Sequence, residues 1–279
     1  MRFRYFAAAT LLALGAPQAV ESQALTSAAE LGYADLADLA LPAPVAVHVR
    51  VRRASLLRER EAPGVAAGHR RFFVEADAVA LIRGAREMPG QVRYLVDLPN
   101  DARGRPARIE RRSEYLLLAT TAQTDPGELR LVAHDAQLPW TPALGERLRA
   151  ILREAARSDA PPRITAVGRA FHVPGSLPGE SETQLFLQAE GDRPVSVSIL
   201  RRPGEEPRWE VALTEIVDQG AAPPQPNSLL WYRLACTLPP ALPPQSLREA
   251  SEEEARAIRA DYAFVLERLG PCGRSRRRR

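Results

Sequence analysis

Val45-Ala46-Val47-His48-Val49-Arg50-Val51 is the stretch that decides how this chain is read. Valine recurs at every second position, which is the period of a strand with one buried face, and its branched side chain packs well on a pleated surface. Working outward, strand-like runs follow at Phe72 to Ile82, Gln91 to Leu98, Tyr115 to Thr121 and Leu129 to Ala133. Pro99, Asn100, Asp101, Gly104 and Pro106 mark the turn or loop between the third and fourth of these five. Five strands with turn residues between them predict an antiparallel OB-like barrel or a sandwich over residues 43–140.

Beyond it, Thr141 as cap, Pro142 in the first turn, and Leu144, Leu148, Ile151, Leu152 and Ala155 on one face predict a connecting helix over 141–160. A second set of strand runs then follows at Ile164 to Val173, Gln184 to Ala189, Val195 to Leu200, Trp209 to Ile216 and Leu229 to Cys236. Gly191-Asp192 and Pro203-Gly204 have the composition of tight meander turns. Pro223 to Pro226 and Pro239 to Pro244 read as extended, semi-rigid spacers. Ser251 and Glu254 form a capping box for a last helix that carries Ile258, Tyr262, Val265 and Leu269 on one face and stops at Gly270-Pro271. The fold class expected is therefore strand-rich α+β, with residues 161–273 forming a second antiparallel sheet covered by a C-terminal helix.

The order Val79-Ala80-Leu81-Ile82-Arg83-Gly84, a later alternating strand, a glycine-containing loop, and Tyr115-Leu116-Leu117-Leu118 resembles the netrin-like, metalloproteinase-inhibitor type of OB barrel over residues 43–133. That family's module carries disulfide-forming cysteines. This stretch has none, so inhibitory activity is not carried over from the resemblance.

The N-terminus has the three parts of a secretory signal over residues 1–24. Arg2 and Arg4 are followed by an apolar run from Phe6 to Ala16 and then by small residues, with cleavage expected near Ala19 to Ala24. The apolar run is about half of the roughly 20 residues needed to span a bilayer. Residues 25–42 read as a short helix or linker, with Ser27 and Glu30 as a capping box, Leu31, Leu36 and Leu39 on the helix, and Pro42 at its stop. The two cysteines, Cys236 and Cys272, are expected to pair in an oxidising compartment, pinning the last helix to the strand ending at Cys236; the other reading is two separate buried thiols.

The formal charge of +4 is misleading, because two arginines lie in the signal and five in the tail Arg274-Ser275-Arg276-Arg277-Arg278-Arg279. Residues 25–273 carry 31 arginines against 33 aspartates and glutamates, so the body as a whole gives no electrostatic support to a nucleic-acid groove. All 38 basic residues are arginine, a pattern expected from coding bias. Without lysine the chain has no Gly-Lys phosphate loop, no lysine Schiff base and no Ser-x-x-Lys acylation site. There is no Gly-x-Ser-x-Gly elbow, since Gly179-Glu180-Ser181-Glu182-Thr183 breaks it at the last position, and no Gly-x-Gly-x-x-Gly or His-Glu-x-x-His motif.

His48, His69, His134 and His172 are the four histidines, each expected to be structural or exposed rather than a metal ligand. His134 and Asp135, as neighbours on a strand, should face opposite ways and form no buried pair. No catalytic, cofactor-binding or metal residue is assigned. The expectation is an exported, non-catalytic envelope or secreted protein that binds a protein or glycan partner. The alternative is a periplasmic hydrolase of envelope material, for which His134 or His172 would have to cluster with carboxylates or serine in a pocket. A structural assembly factor, marked by an exposed apolar patch or open sheet edge, is the third reading. Arg274, Arg276, Arg277, Arg278 and Arg279 are read as a disordered tail able to touch an anionic surface weakly.

Overall fold

The computed structural model describes residues 31–85, 88–214 and 221–276. The chain divides into residues 1–31, of which only Leu31 is described, and a body of residues 32–279. The expected signal and the Ser27–Glu30 capping box lie outside the described residues. Among the described residues no helix is long and apolar enough to cross a membrane.

Strand β1 (Val45–Leu56) pairs with both β2 (His69–Arg83) and β4 (Glu114–Thr121), so the sheet has no free edge at its founding strand. With β3 (Gln91–Pro99) and β5 (Glu128–Leu131) it closes as a five-stranded barrel in the order β1-β2-β3-β5-β4 and back to β1. One seam departs from the all-antiparallel expectation: β3 and β5 run parallel, Arg93 opposite Glu128 and Tyr94 opposite Leu129. The reason is geometric, because a ring with an odd number of strands cannot alternate direction at every neighbour. A short β6 (Gln137–Pro139), not foreseen from the sequence, extends β4 outside the ring.

Val45, Val47, Val49 and Val51 point into the barrel core with Phe72, Val74, Tyr94, Val96, Leu117 and Leu129, as their period requires. The other face of β1 was expected to meet solvent, yet Ala46 and His48 are also buried, and so are Leu116 and Leu118 on β4. Trp140 and the start of α2 (Pro142–Ala155) cover His48. The expected cap is in place, Leu144 N donating to Thr141 Oγ1 at 3.1 Å. Helix α1 (Tyr33–Ala40) packs against α2 and is almost wholly buried. Arg83, opposite Ala46 in the ladder, reaches the carbonyl of Ala40 at 3.3 Å.

The second layer is a four-stranded antiparallel meander, β7 (Ile164–Pro174), β8 (Ser181–Ala189), β9 (Val195–Arg201) and β10 (Arg208–Ala212). The β8–β9 connection is longer than the tight turn expected: residues 190–194 link the strands through the turn Glu190–Asp192, in which Gly191 and Asp192 both take positive φ. Helix α4 (Glu252–Leu269) packs on β7 and buries Ile258, Tyr262, Val265 and Leu269, the face read from the sequence. Its capping box is formed, Ser251 N donating to Glu254 Oε2 at 2.7 Å.

Four expectations for the C-terminal region need correction. Leu229 to Cys236 is not a strand: Leu229–Ala235 is helix α3, with Trp231 N donating to Ser228 Oγ at 3.2 Å as its cap. A short continuous apolar run does not distinguish a buried strand from a buried helix, and here the capping serine decided. The Cys236–Cys272 disulfide exists, but it joins the end of α3 to the segment after α4 rather than a helix to a sheet. The Pro239 to Pro244 run is not a free spacer, because Tyr262 Oη donates to the Pro239 carbonyl at 2.6 Å and the turn Pro244–Leu247 buries Ser246 and Leu247 against β7. Nor is Arg274 to Arg276 a disordered tail: all three residues bond to buried or half-buried aspartates, while Arg277 to Arg279 lie outside the described residues.

Candidate functional site

A cleft of about 470 Å³ opens on the outer side of β1, β2 and β3, lined by Arg52, Arg53, Glu75, Gln91, Arg93 and Arg111. Backbone register places its charges. Ala54, Val74 and Tyr94 are opposed across the three strands and face the core, so the row one residue along, Arg53 opposite Glu75 opposite Arg93, faces out. Arg52 is the extra residue of a bulge between Val51 and Arg53, which lets two successive arginines reach one cleft instead of opposite faces.

The fourth guanidinium comes from the β3–β4 loop. Arg112 has φ of 69°, a left-handed conformation that costs a residue with a Cβ about 1–2 kcal/mol. Its N–H donates to the carbonyl of Val51 at 2.8 Å, and Val51 N donates to the Ser113 carbonyl at 2.9 Å. These two bonds fasten the loop to β1, and Arg111 Nε then reaches the Arg52 carbonyl at 3.1 Å.

The carboxylates around the cleft do not neutralise it. Arg93 pairs with Asp125, and Arg52 lies 3.4 Å from Asp77. Among the described residues Arg53, Arg111 and Glu75 have no ion-pair partner. The arrangement presents planar N–H donors to an incoming anion, the donor geometry that matches carboxylate, sulfate and phosphate oxygens two at a time.

This site was missed in the sequence because arginine abundance was read as coding bias and charge was summed over the whole body. Taken by segment, residues 43–140 hold 16 arginines against 12 aspartates and glutamates, while the rest of the body is acidic. The pairs Arg52-Arg53 and Arg111-Arg112 were the available signal.

The histidines fall in separate settings. His48 stacks on Trp140, ring centroids 3.8 Å apart, and its Nε2 lies 3.0 Å from Glu114, whose other oxygen accepts from Arg50 at 2.7 Å. Those two hydrogen bonds, that of Arg50 first, hold the Glu114 carboxyl below its ordinary range. His69 Nδ1 is 3.2 Å from the Ala67 carbonyl in the β1–β2 loop. His134 sits in a turn rather than on a strand, since β5 ends at Leu131 and Ala136 N bonds the Ala133 carbonyl; its neighbour Asp135 pairs with Arg276.

His172 is the one histidine brought to a buried carboxylate. Its Nδ1 lies 2.8 Å from Thr183 Oγ1, which donates to Asp261 Oδ2 at 2.5 Å, and Arg201 Nε donates to Asp261 Oδ1 at 2.6 Å. The chain ties β7, β8 and β9 to α4 through a carboxylate that is 1% exposed. His172 does not line the arginine cleft. Among the described residues no group of three or more His, Cys, Asp or Glu side chains is placed to hold a metal ion.

On the outer face of the second sheet Phe171 and Phe186 meet edge to face at 5.9 Å, with Arg169 over the Phe171 ring at 5.7 Å, beside a Val173 that is 62% exposed. In comparisons with protein-family models and with curated proteins, the chain matches none.

Proposed function

We propose that this chain is an exported binding protein with no catalytic centre of its own, and that it takes an anionic partner, an acidic glycan or an acidic protein surface, in the arginine-lined cleft of its barrel. The observation that carries the reading is the convergence of Arg52, Arg53, Arg93 and Arg111 from two strands, a bulge and a loop on one cleft. The left-handed Arg112 beside it supports the reading, since backbone strain of this kind persists where the surrounding structure holds a residue for a purpose. On OB barrels the β2–β3 face and its flanking loops are the usual place for an extended ligand. The lining has no aromatic ring on which bases would stack, which favours glycan or protein over single-stranded nucleic acid. The resemblance to the netrin-like barrel of metalloproteinase inhibitors is kept as part of this proposal: it favours a protein partner, while the strand order supports only the OB-type barrel.

The test is titration of the purified chain with a sulfated or uronate-rich oligosaccharide and with an acidic protein over a range of salt. Arg53→Glu with Arg111→Glu should weaken binding about tenfold or more, because each charge-assisted contact is worth about 1.5–3 kcal/mol, and should flatten the salt dependence. Unchanged affinity in that variant removes the cleft from the function.

A hydrolytic reading draws on the His172–Thr183–Asp261 chain, in which a carboxylate orients an imidazole through a hydroxyl. A turnover of envelope material that is abolished by His172→Ala, in a chain that keeps its fold, would place this reading first. The exposed Phe171–Phe186 patch supports an assembly role for the second sheet in the same coarse sense.

A further inference from the structure

The last described residues of the chain lie in a notch of three carboxylates drawn from two places. Asp35 and Asp38 stand on α1, 0% and 2% exposed, and Asp135 stands on the barrel's β5–β6 turn. Arg274 grips Asp38 through Nε at 2.5 Å and through its terminal nitrogen at 3.0 Å. Asp35 accepts from Ser275 N and Arg276 N, each at 3.0 Å, and also from the Ser275 hydroxyl. Arg276 makes a two-point contact with Asp135, both bonds 2.7 Å. Tyr232 of α3 adds a bond to Asp38 at 2.6 Å.

The strap is anchored by a covalent bond two residues upstream. Cys272 is joined to Cys236 at the end of α3, the same helix that supplies Tyr232. Between α4 and the notch the chain turns at Gly270 and Gly273, both at positive φ. With the disulfide closed, Arg274 is delivered beside Asp38 at high effective concentration. With it open, the nearest restraint falls back to the end of α4, where Trp231 Nε1 holds the Leu269 carbonyl at 2.8 Å.

We propose that residues 274–276 are a redox-gated latch: the Cys236–Cys272 disulfide seats the strap on Asp35, Asp38 and Asp135, and reduction by a dithiol releases it from the barrel. In that step a dithiol thiolate attacks one sulfur and the second thiol resolves the mixed disulfide. Two electrons and two protons pass to Cys236 and Cys272, and the reductant closes its own disulfide. Both cysteines are half-buried rather than sealed in the core. Release would take a basic strap off an acidic notch and unfasten the C-terminal segment from the barrel that carries the arginine cleft.

Limited trypsin digestion of the full chain tests this, with the C-terminal peptides read by mass spectrometry before and after a dithiol reductant. The bonds after Arg274 and Arg276 should resist cleavage in the oxidised chain and be cut about tenfold faster or more after reduction, with cleavage in the barrel unchanged, because cleavage tracks the population of the opened segment. Asp135→Asn in the oxidised chain should speed cleavage after Arg276 without reduction. Equal cleavage in both redox states overturns the proposal, since the carboxylates would then hold the strap unaided. So does acceleration throughout the barrel, since the disulfide would then be holding the fold rather than the strap.

Discussion

Gly145 shows how a single atom sets the interface between barrel and helix. A Cβ added there would stand 2.3 Å from Trp140 Cη2, and Trp140 is in turn stacked flat on His48. Gly145→Ala should therefore push the indole off the imidazole and cost about 1–3 kcal/mol, the usual penalty for overfilling a packed site. Urea unfolding measures it, and the loss should shrink when Trp140 is also cut to Leu. None of this was legible from the residues alone. His48 read as the polar member of an alternating strand, and nothing in its neighbours announced that Trp140, 92 positions away, would cover it. The same holds for the arginine cleft. Arg53 and Arg93 become neighbours only through Glu75 on the strand between them, and Arg111 arrives from a loop.

The elements themselves were largely readable because short-range physics makes them. Nine strand runs and the two long helices follow from period, turn residues and caps, each a matter of a few consecutive residues. Ser251 is the clearest case, its hydroxyl accepting from Glu254 N at 3.3 Å while Glu254 reaches back to its N–H. Ser251→Ala should destabilise by about 1 kcal/mol, measured as a lower Tm, with the fold otherwise unchanged. Where the reading failed, period was uninformative. Leu229 to Leu234 is apolar at nearly every position, so strand and helix predict the same burial, and the helix prevails because Ser228 caps it and Leu229, Trp231, Tyr232 and Leu234 all find a buried place.

At the scale of the molecule, two ties hold the segment after α4: the disulfide fastens it to α3, and the strap fastens it to α1 and the barrel. The disulfide closes a loop over a separation of 36 residues, and Cys236→Ser with Cys272→Ser should lower stability by about 3–4 kcal/mol in the chain-entropy model, read from urea midpoints. The strap adds a pH dependence whose sign is set by Arg276, which draws the Asp135 carboxyl below its ordinary 3.8. A carboxyl lowered in the folded state contributes stability that is complete above its unfolded value and is lost as pH falls through the folded one. Wild type should therefore exceed Asp135→Asn in stability at pH 6, and the difference should vanish as the pH falls below 3.8. The tail's charge had suggested a solvated end, because a run of like charges repels itself. What the sequence cannot display is that three aspartates far upstream would converge on it.

The sequence by itself determined the strand-rich α+β class, the order of barrel, helix, meander and final helix, the caps, and which two sulfurs were available to pair. These depend on residues close together in the chain, where period and turn chemistry act. Tertiary structure alone decided the parallel seam that closes the barrel, the second buried face of β1, the arginine cleft, the His172–Thr183–Asp261 chain and the seated strap. Each is a meeting of side chains from distant segments, and no local pattern of residues encodes which distant partners the folded backbone will bring together.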